Sequence, residues 1–227
     1  MKLLTFDTST EYLSLALWHD GEVSVRELLA GQKHSELVLP LLGELLAEAG
    51  WKLADLDGIA FGEGPGSFTG LRIGCGVAQG LAFGAGLPVL GVCTLEALAQ
   101  QAAREKVIAC LDARMNEVYH AAYRLGGGAW QAVLPPGLYP PAQVPALEGD
   151  GWCAIGSGWD RFGSALDELY GAQVATRIPQ AFPLARHMAE LAAPRFARNE
   201  GRAPFEAAPL YIRNKVALTT REREVAK

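Results

Sequence analysis

Few side chains in this sequence are placed to do chemistry. Asp7-Thr8-Ser9-Thr10 sets a carboxylate beside three hydroxyls, directly after the apolar run Leu3, Leu4, Phe6. Such a group at a strand end can hold Mg²⁺ and orient phosphate oxygens. The same four residues serve equally well as a hydroxyl-capped turn. Gly64-Pro65-Gly66-Ser67-Phe68-Thr69-Gly70 puts a serine in a glycine-rich loop. A nucleophile elbow requires G-x-S-x-G, and here the glycine is adjacent to the serine. A Walker loop requires a lysine after the glycines, and none follows. His19, His34, His120 and His187 include no pair three to five residues apart, so no helical metal pair forms. Cys75, Cys93, Cys110 and Cys153 contain no C-x-x-C, and three of them sit in apolar segments as free thiols of a reducing compartment. The sequence therefore assigns no catalytic residue and no metal ligand.

The glycine-rich stretch organises the elements around it. Leu56, Ile59, Ala60 and Phe61 read as a strand, Gly62 to Gly66 as a tight loop, and Ser67 as the N-cap of a helix. That helix holds Gly70, Gly74, Gly76, Gly80 and Gly84. At about 1 kcal/mol each relative to alanine, five interior glycines cost roughly 4–5 kcal/mol, which only close packing offsets. At 100° per residue they fall in one arc with Ile73, Val77 and Leu81, while Arg72 and Gln79 lie opposite. This notched face packs either within its own domain or against a second protein. Residues 32–50 read as a helix with paired rows, Leu37, Leu41, Leu45 beside Val38, Leu42, Leu46. That stripe is wider than one sheet needs, so the second row is either core or docking surface.

Around these elements the chain reads as α/β. Tyr12 to Trp18, the turn His19-Asp20-Gly21, and Val23 to Leu29 form a hairpin. Leu87 to Cys93 is a strand, and Thr94 caps a helix to about Ala103. Lys106 to Leu111, the turn Asp112 to Asn116, and Glu117 to Tyr123 repeat the opening pattern, with a hairpin tip at Gly126-Gly127-Gly128. The repetition implies a duplicated fold with lobes at 1–104 and 105–227, the C-terminal helix and tail packing back on the first. Residues 135–145 read as a proline-rich loop, Cys153 to Ile155 as a strand entering a turn at Gly156 to Trp159, and Pro183 as the start of a helix to about Ala193. The tail from Pro209 to Lys215 reads as extended.

Net charge is −5, which excludes a general affinity for nucleic acid. A C-terminal group (Arg186, Arg195, Arg198, Arg202, Arg213, Lys215, Arg221, Arg223) is either a solvated basic face or a contact for RNA or an acidic partner. No apolar run reaches the length of a membrane span and no signal peptide fits the start, so a cytoplasmic protein is expected.

The opening strand, acidic-hydroxyl turn and hairpin resemble the actin-like ATPase superfamily of sugar kinases, acetate kinase and Hsp70. There the aspartate and hydroxyls face nucleotide phosphates, so Asp7, Thr8, Ser9 and Thr10 become candidates to face a nucleotide. The superfamily's glycine two residues after the aspartate is Ser9 here. The chain further resembles the TsaB (YeaZ) family. The matching stretches are Phe6 to Thr10, His34-Ser35-Glu36, Gly64 to Gly74, Thr94 to Leu98, Asp112 to Tyr119 and Tyr211 to Ala217.

This resemblance implies a two-lobed actin-like (ASKHA, ribonuclease H-like) fold without transferase activity of its own. It implies docking on a TsaD-type sister subunit, joined by a TsaE-type ATPase, to make threonylcarbamoyladenosine on tRNA; apolar docking helices of this kind can also pair with a second copy when the sister is missing, giving a homodimer. The family's docking through first-lobe helices points to His34, Leu37, Leu41, Leu45, Gly70, Ile73, Gly74, Val77, Gly80 and Leu81 as the partner interface. The H-x-x-x-H pair of TsaD-type subunits is absent, since His34 is followed four residues on by Val38. No cofactor is assigned to this chain, and ATP or ADP is left to the assembled complex. The alternatives are a small-molecule kinase of the same superfamily, using Asp7, and a glycoprotease-like peptidase, using Ser67.

Overall fold

The computed structural model describes residues 1–213. Asn214 to Ala217, with Lys215, and the basic Arg221 and Arg223 lie outside the described residues. Two five-stranded sheets share one plan. In the first, β1 (Lys2–Asp7) pairs antiparallel with β2 (Tyr12–His19) and parallel with β4 (Gly58–Gly64). Strands β3 (Glu22–Leu29) and β5 (Val89–Cys93) flank them, giving the order β3-β2-β1-β4-β5. In the second, β6 (Lys106–Asp112) pairs antiparallel with β7 (Val118–Gly126) and parallel with β9 (Trp152–Ile155). Strands β8 (Ala129–Tyr139) and β10 (Val174–Ile178) are its edges. The two central strands are almost wholly buried because helices cover both faces of each sheet.

On the first sheet, α1 (His34–Glu48) and α2 (Phe68–Ala85) cover one face, where Val38, Leu42, Ala78 and Ala82 meet Leu4, Phe6, Ile59 and Phe61. On the other face, α3 (Thr94–Ala102) and α5 (Ala185–Ala197) meet Leu3, Ala60, Leu90 and Val92. Helix α5 therefore returns from late in the chain to the first sheet. Its N-terminus has no side-chain cap of its own. Sheet side chains serve it instead: Ser14 Oγ accepts from the Ala185 amide (2.8 Å) and Thr5 Oγ1 donates to the Ala185 carbonyl (2.8 Å).

Four sequence expectations change. Residues 156–159 open a helix, α4 (Ser157–Tyr170), rather than a turn. Residues 135–139 belong to β8 rather than to a loop; β8 is an edge strand, where proline's missing donor is harmless. Thr94 is the first residue of α3 and not its cap; Cys93 holds the cap position, and the Thr94 hydroxyl donates to the Pro65 carbonyl. The last helix starts at Ala185, two residues after Pro183. All four cysteines are free, with Cys93 partly exposed and the others buried.

Candidate functional site

Strand β1 delivers the Asp7–Thr10 turn onto the start of α2. Asp7 is fully buried; its Oδ1 accepts from the Ser9 amide (3.0 Å) and hydroxyl (2.8 Å), and its Oδ2 has no partner. Burial pushes the Asp7 carboxyl up to about 7, against the lowering effect of the two Ser9 bonds. Thr8 is buried as well and donates to the Gly70 carbonyl (2.8 Å). This turn lies so close to α2 that a methyl group on Gly70 would overlap the Thr8 carbonyl oxygen, and one on Gly74 would lie 2.6 Å from Thr8 Oγ1. Ser67 caps α2 by accepting from the Gly70 amide at 3.4 Å, and its own amide donates to the Ser9 carbonyl (2.7 Å).

Between the lobes lies a cleft of about 570 Å³. Of the four candidates for facing a nucleotide, Ser9 and Thr10 line it and Asp7 and Thr8 do not. The first lobe contributes Ser67 and Phe68; the second contributes Asp112, Arg114, Ser157 and Arg161. Asp112 pairs with Arg161 (2.8 Å) and Arg114 (3.5 Å), and its amide donates to Ser157 Oγ (3.2 Å). The cleft thus offers hydroxyls, guanidinium groups and, at Glu11, an exposed carboxylate. Its inner carboxylate, Asp112, is already shared by two cations, and the strand-end carboxylate, Asp7, is turned into the protein. Neither is free to take a proton from a bound substrate, as a kinase base must. Among the described residues no group of three or more His, Cys, Asp or Glu side chains is arranged to hold a metal ion.

The ten residues proposed for a partner interface divide. His34, Leu45, Gly70 and Gly74 are buried inside the first lobe. His34 Nε2 points to the Tyr12 carbonyl at 3.4 Å, Leu45 is core, and the two glycines receive the Thr8 turn. Leu37, Leu41, Ile73, Val77 and Leu81 are half-buried along α1 and α2, and Gly80 is exposed. A Cβ at Gly76, Gly80 or Gly84 would meet nothing within 4 Å, so these three form an open row at i, i+4, i+8. Beside that row Phe83 is 82% exposed, and on α1 Leu39 is 51% exposed. Sequence reasoning missed both. The helical angle held the signal for Phe83, which follows Gly76 by seven residues and Gly80 by three.

Two lobes of one plan, each a mixed five-stranded sheet opening with an antiparallel hairpin, define an actin-like protein of the ASKHA class. Known proteins narrow that class. The family model described as "TsaD: tRNA N6-adenosine threonylcarbamoyltransferase" matches residues 26–166. The "tRNA threonylcarbamoyladenosine biosynthesis protein TsaB" of Escherichia coli K12 is 40% identical over 96% of each chain. The Haemophilus influenzae protein of the same name is 38% identical over 95% of each chain. The solved structure of YeaZ from Pseudomonas aeruginosa matches with a TM-score of 0.83 at 38% identity, covering 92% of this chain and 99% of that one. The chain belongs to the TsaB family.

Proposed function

We propose that this chain is a non-catalytic subunit that docks on a TsaD-type transferase and, with a TsaE-type ATPase, supports formation of threonylcarbamoyladenosine on tRNA. The reading places it in the cytoplasm with its tRNA substrate; among the described residues no helix is long and apolar enough to cross a membrane. The names of its relatives supply the pathway. The observation that carries the docking role is the open row Gly76, Gly80, Gly84 between Phe83 and the half-buried Ile73, Val77 and Leu81. An exposed helix side bare of side chains lets a partner helix approach to backbone contact, and the flanking apolar groups supply the area to hold it. A second copy of this chain would use the same face when the sister subunit is missing. Any nucleotide belongs to the assembled complex. The kinase alternative is disfavoured by the inward Asp7, and the peptidase alternative by Ser67 acting as a helix cap.

The test is reconstitution with the sister subunit, the ATPase and tRNA. Phe83→Glu leaves folding intact because the ring touches solvent, and it should abolish both binding to the sister subunit and the modification. Full modification by a folded Phe83→Glu protein would overturn the docking face. ATP turnover by the isolated chain, lost in Asp7→Asn, would favour the kinase.

A further inference from the structure

After α5 the chain crosses from one lobe to the other. Residues 204–206 form a short 3₁₀ turn against α2, and Ala207 joins the first-lobe core. The Ala207 carbonyl accepts from Gln79 Nε2 (2.9 Å), and the Leu210 amide donates to the Glu63 carbonyl (2.6 Å). The Leu210 carbonyl then passes Gly64 so closely that a Cβ there would come within 2.7 Å of it. Tyr211 Oη accepts from Arg72 Nε (3.0 Å), and its ring lies 5.4 Å from that of Phe68. Two residues on, the attachments change lobe. Ile212 packs on the core that Leu111, Tyr119 and Ile155 share with α3. Arg213 donates to the Ala113 carbonyl (3.0 Å) and pairs with Glu117 (2.6 Å).

The turn that Arg213 grips is strained. Arg114, Met115 and Asn116 all have left-handed backbone, with φ of 62°, 53° and 56°. Three consecutive non-glycine residues in this region cost roughly 1–2 kcal/mol each, somewhat less for asparagine. Two backbone bonds of ordinary length close the turn: the Ala113 amide to the Glu117 carbonyl (2.9 Å) and the Glu117 amide to the Arg114 carbonyl (3.0 Å). The guanidinium of Arg213 bonds on either side of it, to the Ala113 carbonyl and to the Glu117 side chain. It is the described group that binds this turn to the strap by polar contacts, beside the packing of Ile212 on the cluster that includes Ala113, and the strap is tied in turn to α2 and β4.

We propose that residues 207–213 are a releasable latch across the interlobe cleft, with Arg213 as its catch on the left-handed turn. Closed, the latch fixes the distance between the Ser67 end of α2 and the Asp112 turn, and it forms part of the cleft wall through Tyr211 and Arg213. Released, it frees the strained turn to relax and opens the cleft along one side. The catch is one ion pair with a carbonyl contact and a weak contact to Met115 Sδ (3.5 Å), partly solvent-accessible, so a competing anion or partner carboxylate can displace it. The latch rests on one side of α2, held by Arg72, Cys75 and Gln79, while the open glycine row lies on the adjacent side.

Amide hydrogen exchange on the full chain tests it, in Arg213→Gln and Glu117→Gln. A latch predicts that each variant speeds exchange of the Leu210 amide about tenfold, although Glu117 lies in the other lobe from the Glu63 carbonyl that this amide bonds. The double variant should exchange no faster than Arg213→Gln alone, since that change already removes every contact that Glu117→Gln removes. Unchanged protection of the β1 and β4 amides establishes that the fold is intact. Native-like exchange at Leu210 in Glu117→Gln, with acceleration confined to residues 113–117, would overturn the latch and leave Arg213 a local brace.

Discussion

The two ends of α2 use the same residue for opposite purposes. At its start, Gly70 and Gly74 are buried because the Thr8 turn occupies the space their side chains would fill. From Gly76 onward, Gly76, Gly80 and Gly84 face open space. A glycine-rich helix is thus two surfaces in succession, one completing its own lobe and the other left for something outside it. The first is maintained by steric necessity, so substitution there is felt in folding. The second costs helix stability without return in the isolated chain, so substitution there is felt in assembly.

Four measurements can break or sharpen this contrast. Gly70→Leu forces a side chain into the Thr8 backbone and should cost about 3–5 kcal/mol of stability, read by denaturant unfolding. The Asp7 turn carries the next largest effect. Its carboxyl keeps its proton up to about pH 7 in the folded protein but releases it near 3.8 when unfolded. Between those values the folded state binds more protons, so this group's contribution to stability falls as pH rises from 4 to 7 and is flat above. The fall is on the order of 3–4 kcal/mol. Subtracting the stability profile of Asp7→Asn from that of the parent isolates it; a difference that does not change with pH would contradict the assigned burial. Third, Gly80→Leu should leave the unfolding free energy within about 1 kcal/mol of the parent yet weaken binding to the sister subunit by roughly 100-fold in a titration, since it fills the row a partner helix must approach. Smallest, Gly76→Ala should raise stability by about 0.5–1 kcal/mol, because alanine is the better helix former and meets no neighbour. Equal losses of folding at Gly70 and Gly80 would erase the distinction.

Much of this was legible in the residues. The opening strand, the hairpins, the Ser67 cap and the repeated plan at Lys106 follow from apolar alternation and turn chemistry, which are local properties. The split of the glycine arc was not. Angular position put all five glycines on one side of the helix, and only the approach of a turn from residues 7–10 decides which of them are covered. Long-range contact also explains His34, whose ring is drawn to the Tyr12 carbonyl. Helix α4 was hidden for another reason. Gly158 and Gly163 weaken its pattern, and Phe162 departs from helical backbone at φ −120°, so its apolar spacing reads as broken. The left-handed run at Arg114, Met115 and Asn116 has no glycine to announce it.

The return of α5 to the first sheet has a consequence for how the chain is made. Leu3, Ala60, Leu90 and Val92 wait for Met188, Ala192 and Phe196 to cover them. A ribosome that has released the first hundred residues has therefore released a sheet with one oily side covered only by α3, and the part that α5 takes stays bare while the whole second sheet is synthesised. Contacts closed over such a span form late and slowly. The growing chain needs shelter through that interval, and truncations that stop before residue 197 should reach the cell as aggregates rather than as a half-protein.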